Sequence, residues 1–432
     1  MFLWVGQLAS NVGDKIYYTA AVWFVFQKTY QHPDLQSQAG LRTGILLVVS
    51  SLPALFLSAF FGVLVDRLNR KFILAFCDIA RAGVLLWVAL RAGQGKLTVA
   101  ELYGATVLIG VSASLFNPCV WAVLPSVASL ESLAAANSFV QLLSLGSYLL
   151  GPVIAAFLIG SVKAELALSE GVRLALSVGM VGFLVSGVCA VALNLPGRIV
   201  ALRRFSEIVT DIREAFAFLH SDRLMYAVLK VGCVLNFFVA GYVVVLPCMT
   251  TKVYRMGGSE PTAGTVREVS GLRAPANMGH TDPEAVRGYG ALQGALALGF
   301  IVGSLLVAAI GDFRRKAPVL VWGLAAQAVF IIAIGFVHWF YLGLGLLWAI
   351  GLGNALVNVN MLVLFQTRIP DDKRGRIFAF RETITTALFP LSYAAMGFAV
   401  DHFPFWVICS MSGLAWLAGA AYLWTLEGLR EV

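Results

Sequence analysis

Charge is scarce in this chain. Only 12% of its 432 residues are Asp, Glu, Lys or Arg, and 59% are hydrophobic. Soluble domains carry about 25% charged residues, so a soluble protein with a large core is excluded: its surface would need more charge. Histidine is also sparse. His32, His220, His280, His338 and His402 are scattered and make no metal or catalytic spacing. The six cysteines (Cys77, Cys119, Cys189, Cys233, Cys248 and Cys409) lie in apolar stretches and form no CxxC pair. They read as small buried hydrophobes rather than disulfide or metal partners. No nucleotide-binding Gly-x4-Gly-Lys-Ser/Thr occurs, which leaves ATP hydrolysis without support. The start of the chain lacks the basic region of a cleavable signal peptide. No catalytic residue, cofactor or metal is expected, and a membrane-embedded enzyme would need clustered His or carboxylates that are not visible.

What the chain has instead is long apolar runs. One membrane-spanning helix takes about 20 apolar residues. Twelve spans are predicted, at 2–28, 41–65, 72–92, 99–122, 134–161, 172–194, 226–252, 288–311, 317–337, 339–365, 376–400 and 404–426. Asp14 and Lys15 interrupt the first. The net charge of +8 is then no signal for nucleic acid, because Lys and Arg collect in the cytoplasmic loops of membrane proteins. With the N-terminus cytoplasmic, 18 basic residues fall on the cytoplasmic side and 11 on the outer side. Five of those 11 belong to the long segment 252–287, where the rule applies weakly. Both termini are therefore predicted to be cytoplasmic.

Two segments read as lying outside the membrane. Residues 195–225 carry both signs of charge, with Phe205, Ile208, Val209, Ile212 and Phe216 at helical spacing. They read as an amphipathic connector on the cytoplasmic face. Residues 254–287 are rich in Gly, Pro, Thr and charge and read as a flexible outer loop with little fixed structure. An internal repeat is also visible. Asp66 and Asp312 each end an apolar span and precede basic residues, at an offset of 246; Pro125 and Pro370 repeat at 245. Two matches at nearly one offset suggest a duplicated six-span unit, one way in which transporters are built. The expected organisation is a six-helix bundle over 1–194, the connector over 195–225 and a second bundle over 226–432.

Gly62-x-Leu64-x-Asp66-Arg67-x-x-Arg70-Lys71, between spans two and three, resembles the diagnostic signature of the major facilitator superfamily, with Asn69 where Gly is commoner. The degenerate copy around Asp312, Arg315 and Lys316 is similar to that family's second loop. Ser10-Asn-Val-Gly-Asp14, Asp78-Ile-Ala-Arg81, Asn117-Pro118, Leu133-x-x-x-Asn137, Glu214-Ala-Phe-Ala-Phe-Leu219 and Pro370-Asp-Asp-Lys-Arg-Gly375-Arg376 look like the branch of macrolide, multidrug and siderophore exporters. In span five, Gly146, Gly151 and Pro152 are similar to the antiporter motif of exporters, with Ala155 and Ala156 replacing its final glycines. Span four has no Arg, where many drug–proton antiporters place one. The resemblance implies an all-α integral membrane protein with twelve transmembrane helices in two pseudo-symmetric six-helix bundles. It further implies that Asp66 engages the N-terminal end of span eleven and, with the neighbouring basic residues and the 312–316 copy, forms a conformational gate. A carboxylate near a helix N-terminus gains roughly 0.3–1 kcal/mol. For the basic residues alone, ordinary positive-inside charge is a sufficient account.

Asp14 is the sharpest single candidate. A charge at bilayer centre costs about 2.5–3.5 kcal/mol on insertion scales, so it should face a cavity or a partner. Gln7, Asn11, Asp14 and Tyr18 share one helix face. Burial favours a neutral carboxyl group and water entry favours the ionised one. A carboxylate at this position can therefore carry a proton between two conformations. The plainer reading is an internal ion pair with Lys15 or a neighbouring helix. Gly146, Gly151 and Pro152 serve either close helix packing or the surface on which two halves rock. Asn117, Gln141, Tyr148, Asn236, Gln293, Asn354 and Asn358 are candidates to line a substrate cavity, each with an interhelical hydrogen bond as its alternative. Asp78 with Arg81, and Arg381 with Glu382, read as intrahelical or inter-half ion pairs near the cytoplasmic ends of their helices, with a structural role.

The expected function is secondary active export of a hydrophobic or amphipathic small molecule (drug, macrolide or siderophore-like) by alternating access, driven by protons. The expected setting is the plasma or inner membrane, with a monomer as the working unit. One charge crossing about 100 mV releases about 2.3 kcal/mol, enough for a roughly 50-fold gradient at about 1.4 kcal/mol per tenfold. A lipid or lysolipid transporter of the same fold, and a non-transporting membrane receptor using the 254–287 loop, are the alternatives.

Overall fold

The computed structural model describes residues 2–127, 133–163, 166–193, 205–254, 256, 267–269, 272–274, 283–310 and 316–426; within these, the side chains at 62, 66, 67, 205–212 and 316, among others, are outside the description. The protein is nearly all helical. Six helices come first: α1 (Phe2–Tyr30), α2 (Ala39–Arg67), α3 (Arg70–Gly93), α4 (Val99–Val127), α5 (Leu133–Gly160) and α6 (Val172–Ala192). Then follow α7 (Phe205–Ser221), α8 (Arg223–Cys248), α9 (Pro283–Ile310), α10 (Lys316–Ile334), α11 (Phe340–Arg368), α12 (Asp371–Ala387), α13 (Phe389–His402) and α14 (Phe405–Trp424). Each predicted span falls on helix, the eleventh on two of them, α12 and α13. Among the described residues ten helical stretches are long and apolar enough to cross a membrane, and Pro318–Ile334 is a shorter apolar helix. Large apolar side chains stand exposed on the helix surfaces, such as Phe56, Trp322 and Tyr341. Helices with such faces suit a hydrocarbon surround, in which all backbone hydrogen bonds must be made internally.

α1 covers the first predicted span and runs unbroken through Asp14 and Lys15; the Lys15 ammonium lies over the Tyr148 ring. Two boundaries differ from the sequence expectation. The eleventh span is two helices, divided at Leu388. Pro390 stands in the first turn of α13, where its missing N–H costs nothing. The outer segment is shorter than read. α9 begins at Pro283, and a hairpin pairs Arg267–Val269 with Leu272–Ala274. Much of 254–282 and all of 194–204 lie outside the described residues; α7 covers most of the remaining connector.

Contacts divide the chain into two compact units. One comprises Met1–Leu202 with Leu246–Gly294, and the other Arg203–Val245 with Ala295–Val432. In the first unit α1 packs on α2, α5 and α6, α3 packs on α4 and α6, and α2 packs on α4. α1 meets α6 through glycine: a Cβ on Gly13 would lie 2.9 Å from the Gly179 carbonyl oxygen. Small residues of this kind let membrane helices approach backbone to backbone. The start of α9 belongs to this unit as well. Arg287 donates to the Gly160 carbonyl at 2.6 Å, and Tyr289 stacks on Trp23 with ring centroids 5.7 Å apart. In the second unit α10 packs on α11 and α14, and α12 packs on α7. The rings of Phe216, His220, Tyr226 and Phe380 cluster there. All six cysteines are free; four are buried and Cys189 and Cys233 are half-buried.

Candidate functional site

The first unit brings four charged or hydroxyl groups together from two helices. On α3, Arg81 and Asp78 are one turn apart, and Arg81 Nη2 donates to Asp78 Oδ1 at 2.7 Å. On α1, Ser10 donates to the same Asp78 oxygen at 3.1 Å. Arg81 Nη1 reaches both oxygens of Asp14 at 3.5 Å. Two carboxylates thus share one guanidinium. Arg81 is 1% exposed and Asp78 0%, whereas Asp14 keeps 21% exposure. Ser186 of α6 borders Asp78, while Asp78 Oδ2 is buried without a partner at hydrogen-bonding geometry among the described residues.

Aromatic rings enclose the guanidinium. Its carbon lies 4.3 Å from the Phe116 ring centroid and 4.6 Å from that of Phe183. These rings shed water and leave the cation attracted to their faces. Both carboxylates ionised would give the cluster a net charge of −1, and such a charge is costly in a low-dielectric interior unless it is paired or neutralised. One further proton brings the cluster to neutrality. Asp14 is the member with solvent exposure and the longer, weaker contacts.

The polar stripe on α1 continues from this cluster. Gln7 donates to Asn11 at 3.3 Å, and Asn11 donates to Ser144 of α5 at 3.4 Å. Tyr18 is half-buried, edge-on to Tyr17 at 5.3 Å between centroids. Tyr17 itself is buried and shares a 2.6 Å hydrogen bond with Thr106. On α5, Tyr148 is 54% exposed and carries the Lys15 ammonium 3.9 Å from its ring centroid. Gly151 and Pro152 are buried and Gly146 is half-buried. A Cβ on Gly151 would meet the Lys15 Cβ at 2.3 Å, whereas nothing lies within 4 Å of one on Gly146. Asn117 and Gln141 are exposed. Gln293 is half-buried in the same unit, with its Nε2 unbonded among the described residues.

The remaining amide candidates belong to the second unit and are satisfied on their own helices. Asn236 donates to the Gly232 carbonyl at 2.8 Å. Asn358 donates to the Asn354 carbonyl at 3.0 Å and to the Asn354 side-chain oxygen. In the signature loop, Asn69 caps α3 by accepting from the Lys71 N–H at 3.0 Å. Arg70 donates to the Ala122 carbonyl in the last turns of α4 at 2.8 Å, and Lys71 is half-buried. The side chains of Gly62, Asp66, Arg67 and Lys316 are not described, and Asp312 and Arg315 lie outside the described residues.

The sequence alone placed Asp78 and Arg81 together but not with Asp14, and it missed Ser10, Phe116 and Phe183. The available signal was a charged i, i+3 pair inside an apolar helix. Gln327 was missed too: it is buried on α10, and neither side-chain polar atom has a partner among the described residues.

A polytopic helical protein with a polar cluster sealed among its spans has the build of a membrane transporter. The chain belongs to the major facilitator superfamily, whose family model matches residues 3–271 and 280–431. Members of that family are membrane transporters, not enzymes, and so is this chain. It is 25% identical over 428 residues to the uncharacterised MFS-type transporter YfiS of Bacillus subtilis (strain 168), covering 96% of this chain and 88% of YfiS. It is 20% identical over 409 residues to macrolide efflux protein A of Streptococcus pyogenes, covering 93% of this chain and 89% of that protein. Among solved structures, a bacterial homologue of the human lysosomal transporter Spinster, inward-facing and unoccupied, matches with a TM-score of 0.69 at 13% identity, over 98% of this chain and 97% of that one. A D-xylose–proton symporter matches with a TM-score of 0.69 at 14% identity, over 98% and 97%. These structures share the fold.

Proposed function

We propose that the chain is a secondary active exporter of hydrophobic or amphipathic small molecules, that protons drive it, and that Asp14 is the group that takes up and releases the proton. The observation that carries this reading is the sharing of the buried Arg81 by Asp78 and Asp14, with Asp14 the exposed arm. In the proposed cycle, protonation of Asp14 loosens its hold on Arg81, and Arg81 stays neutralised by Asp78. Loss of the proton restores the pair. Such a group changes its interaction with α3 at each turnover, which is what coupling requires. The export direction and cargo class rest on the likeness to macrolide efflux protein A.

The same proposal includes a six-helix bundle on each side of the 195–225 connector, both termini in the cytoplasm of a cell with the protein in its plasma or inner membrane, and a monomer as the working unit. Gly62, Asp66, Arg67, Arg70 and Lys71, with Asp312, Arg315 and Lys316, serve as the cytoplasmic gate. Gln7, Asn11, Tyr18, Asn117, Gln141, Tyr148 and Gln293 are cavity residues in the first unit, and Asn236, Asn354 and Asn358 in the second.

The test is substrate-dependent proton flux in proteoliposomes, screened over macrolides, dyes, siderophores and lysolipids. Asp14→Asn keeps the shape and cannot titrate. It should retain substrate binding, lose substrate-linked proton movement and flatten the dependence of efflux on pH. Coupled efflux equal to wild type in Asp14→Asn would remove Asp14 from the mechanism.

A further inference from the structure

At the end of the first unit where α1 stops, a crevice opens whose lining shares no residue with the Arg81 cluster. It is lined by the last turn of α1, the turn that follows it, the start of α2 and the α3–α4 loop, and it holds about 330 Å³. That lies at the lower end of the range for small-ligand sites, about 300–1,000 Å³. Its lining includes Lys28, Arg42 and Lys96, with His32 beside them and no carboxylate. Two carboxylates border those elements: Asp34, exposed on the turn after α1 and not part of the lining, and Glu101 in the first turn of α4, which is fully engaged. One oxygen accepts from Arg91 at 2.7 and 3.0 Å, and the other accepts from the Thr98 N–H and hydroxyl. Among the described residues no acid pairs with Lys28, Arg42 or Lys96.

A second observation points to a ligand. Thr29 also lines the crevice, is 1% exposed, and its Oγ1 has no hydrogen-bond partner among the described residues. A buried hydroxyl left unmade costs about 1–3 kcal/mol, so it calls for a partner. Three cations and an unpartnered threonine hydroxyl on one lining suit a compact oxyanion: the charges supply attraction, and the hydroxyl can supply a bond to one oxygen.

We infer that this crevice binds a phosphate group. Two sources share that chemistry, a soluble phosphate and the headgroup of an anionic phospholipid at the membrane interface, where basic residues meet lipid charge. The experiment uses the purified full chain and reads its thermal midpoint. Inorganic phosphate is titrated against chloride at fixed ionic strength in an uncharged detergent. In parallel, the protein is compared in phosphatidylcholine nanodiscs with and without phosphatidylglycerol. A rise in midpoint with phosphate assigns a soluble ion, and a rise only with phosphatidylglycerol assigns a headgroup; either supports the site. In each case Lys28→Gln/Arg42→Gln should weaken the response by about tenfold or more, the scale of one charge-assisted hydrogen bond. Thr29→Val, nearly isosteric, should weaken it less. Lys163→Gln, which removes an exposed cation from the α5–α6 connection, should leave it unchanged. If the double variant does not fold, Lys96→Gln on the exposed loop replaces it. No response to either probe, or a response equally strong in the crevice variants, overturns the inference.

Discussion

Arg81 holds Asp14 across the α1–α3 gap with both carboxylate oxygens 3.5 Å from a single guanidinium nitrogen, while its other terminal nitrogen is spent on Asp78 at 2.7 Å. The asymmetry separates a short buried bond within α3 from a longer one between α1 and α3. Lys15, adjacent to Asp14 in sequence, takes no part in it, because its ammonium is held over Tyr148.

Removing the guanidinium should therefore be far worse than removing either acid. Arg81→Ala leaves Asp78 buried at 0% exposure without its counter-ion. Breaking a buried pair in this way costs about 3–5 kcal/mol. The expected result is a large fall in thermal midpoint for Arg81→Ala in detergent. Arg81→Ala/Asp78→Asn should regain part of the loss, because the stranded charge is gone. Equal stability of Arg81→Ala and wild type would show that the cluster is not holding α3.

The two glycines of the span-five motif should behave oppositely. Gly151→Ala drives a methyl to 2.3 Å from the Lys15 Cβ, and overpacking of this kind costs about 1–3 kcal/mol. Gly146→Ala meets nothing within 4 Å, and the gain in helix propensity, up to about 1 kcal/mol, should leave it neutral or slightly stabilised. Thermal midpoints of the two variants, measured side by side, decide the point. The same pair separates packing from transport: lowered transport in a stable Gly146→Ala would assign that position to the moving surface.

At Asn69 the departure from the commoner glycine has a local cause. Its side chain accepts the Lys71 N–H and caps α3. Asn69→Ala should cost about 0.5–2 kcal/mol and Asn69→Gly only a few tenths. Chemical denaturation of both variants would check the order; a glycine variant as weak as the alanine one would mean that the capping bond is not what matters.

The spans were legible in the sequence because a bilayer demands about 20 apolar residues in a row, and that demand leaves few readings of runs such as 134–161. The stripe of Gln7, Asn11, Asp14 and Tyr18 was legible because a helix repeats every 3.6 residues. The partner of Asp14 was not. Whether α3 offers Arg81 or an apolar residue at that height depends on how α1, α3 and α6 slide past one another, and that register is set by contacts such as Gly13 on Gly179. Nothing local to residues 10–14 records it. The break at Leu388 had a visible marker in Pro390, but a proline in a membrane helix can equally be accommodated by a bend. The fate of the cavity amides was hidden for a similar reason: Asn236 and Asn358 fold back on carbonyls of their own helices, an option that every such residue has and spacing cannot exclude.

The state of the cysteines opens a direct route to sidedness. None of the six thiols stands fully exposed. A new thiol on a loop should therefore react with a bulky, membrane-impermeant maleimide well ahead of the native ones, without first stripping the chain of cysteine. Leu68→Cys, between α2 and α3, and Lys96→Cys, between α3 and α4, sit on exposed positions at opposite ends of α3. In intact cells only Lys96→Cys should be labelled, with Leu68→Cys joining it once the membrane is opened. The reverse pattern would turn the whole chain over in the bilayer and, with it, the direction in which its cargo is carried.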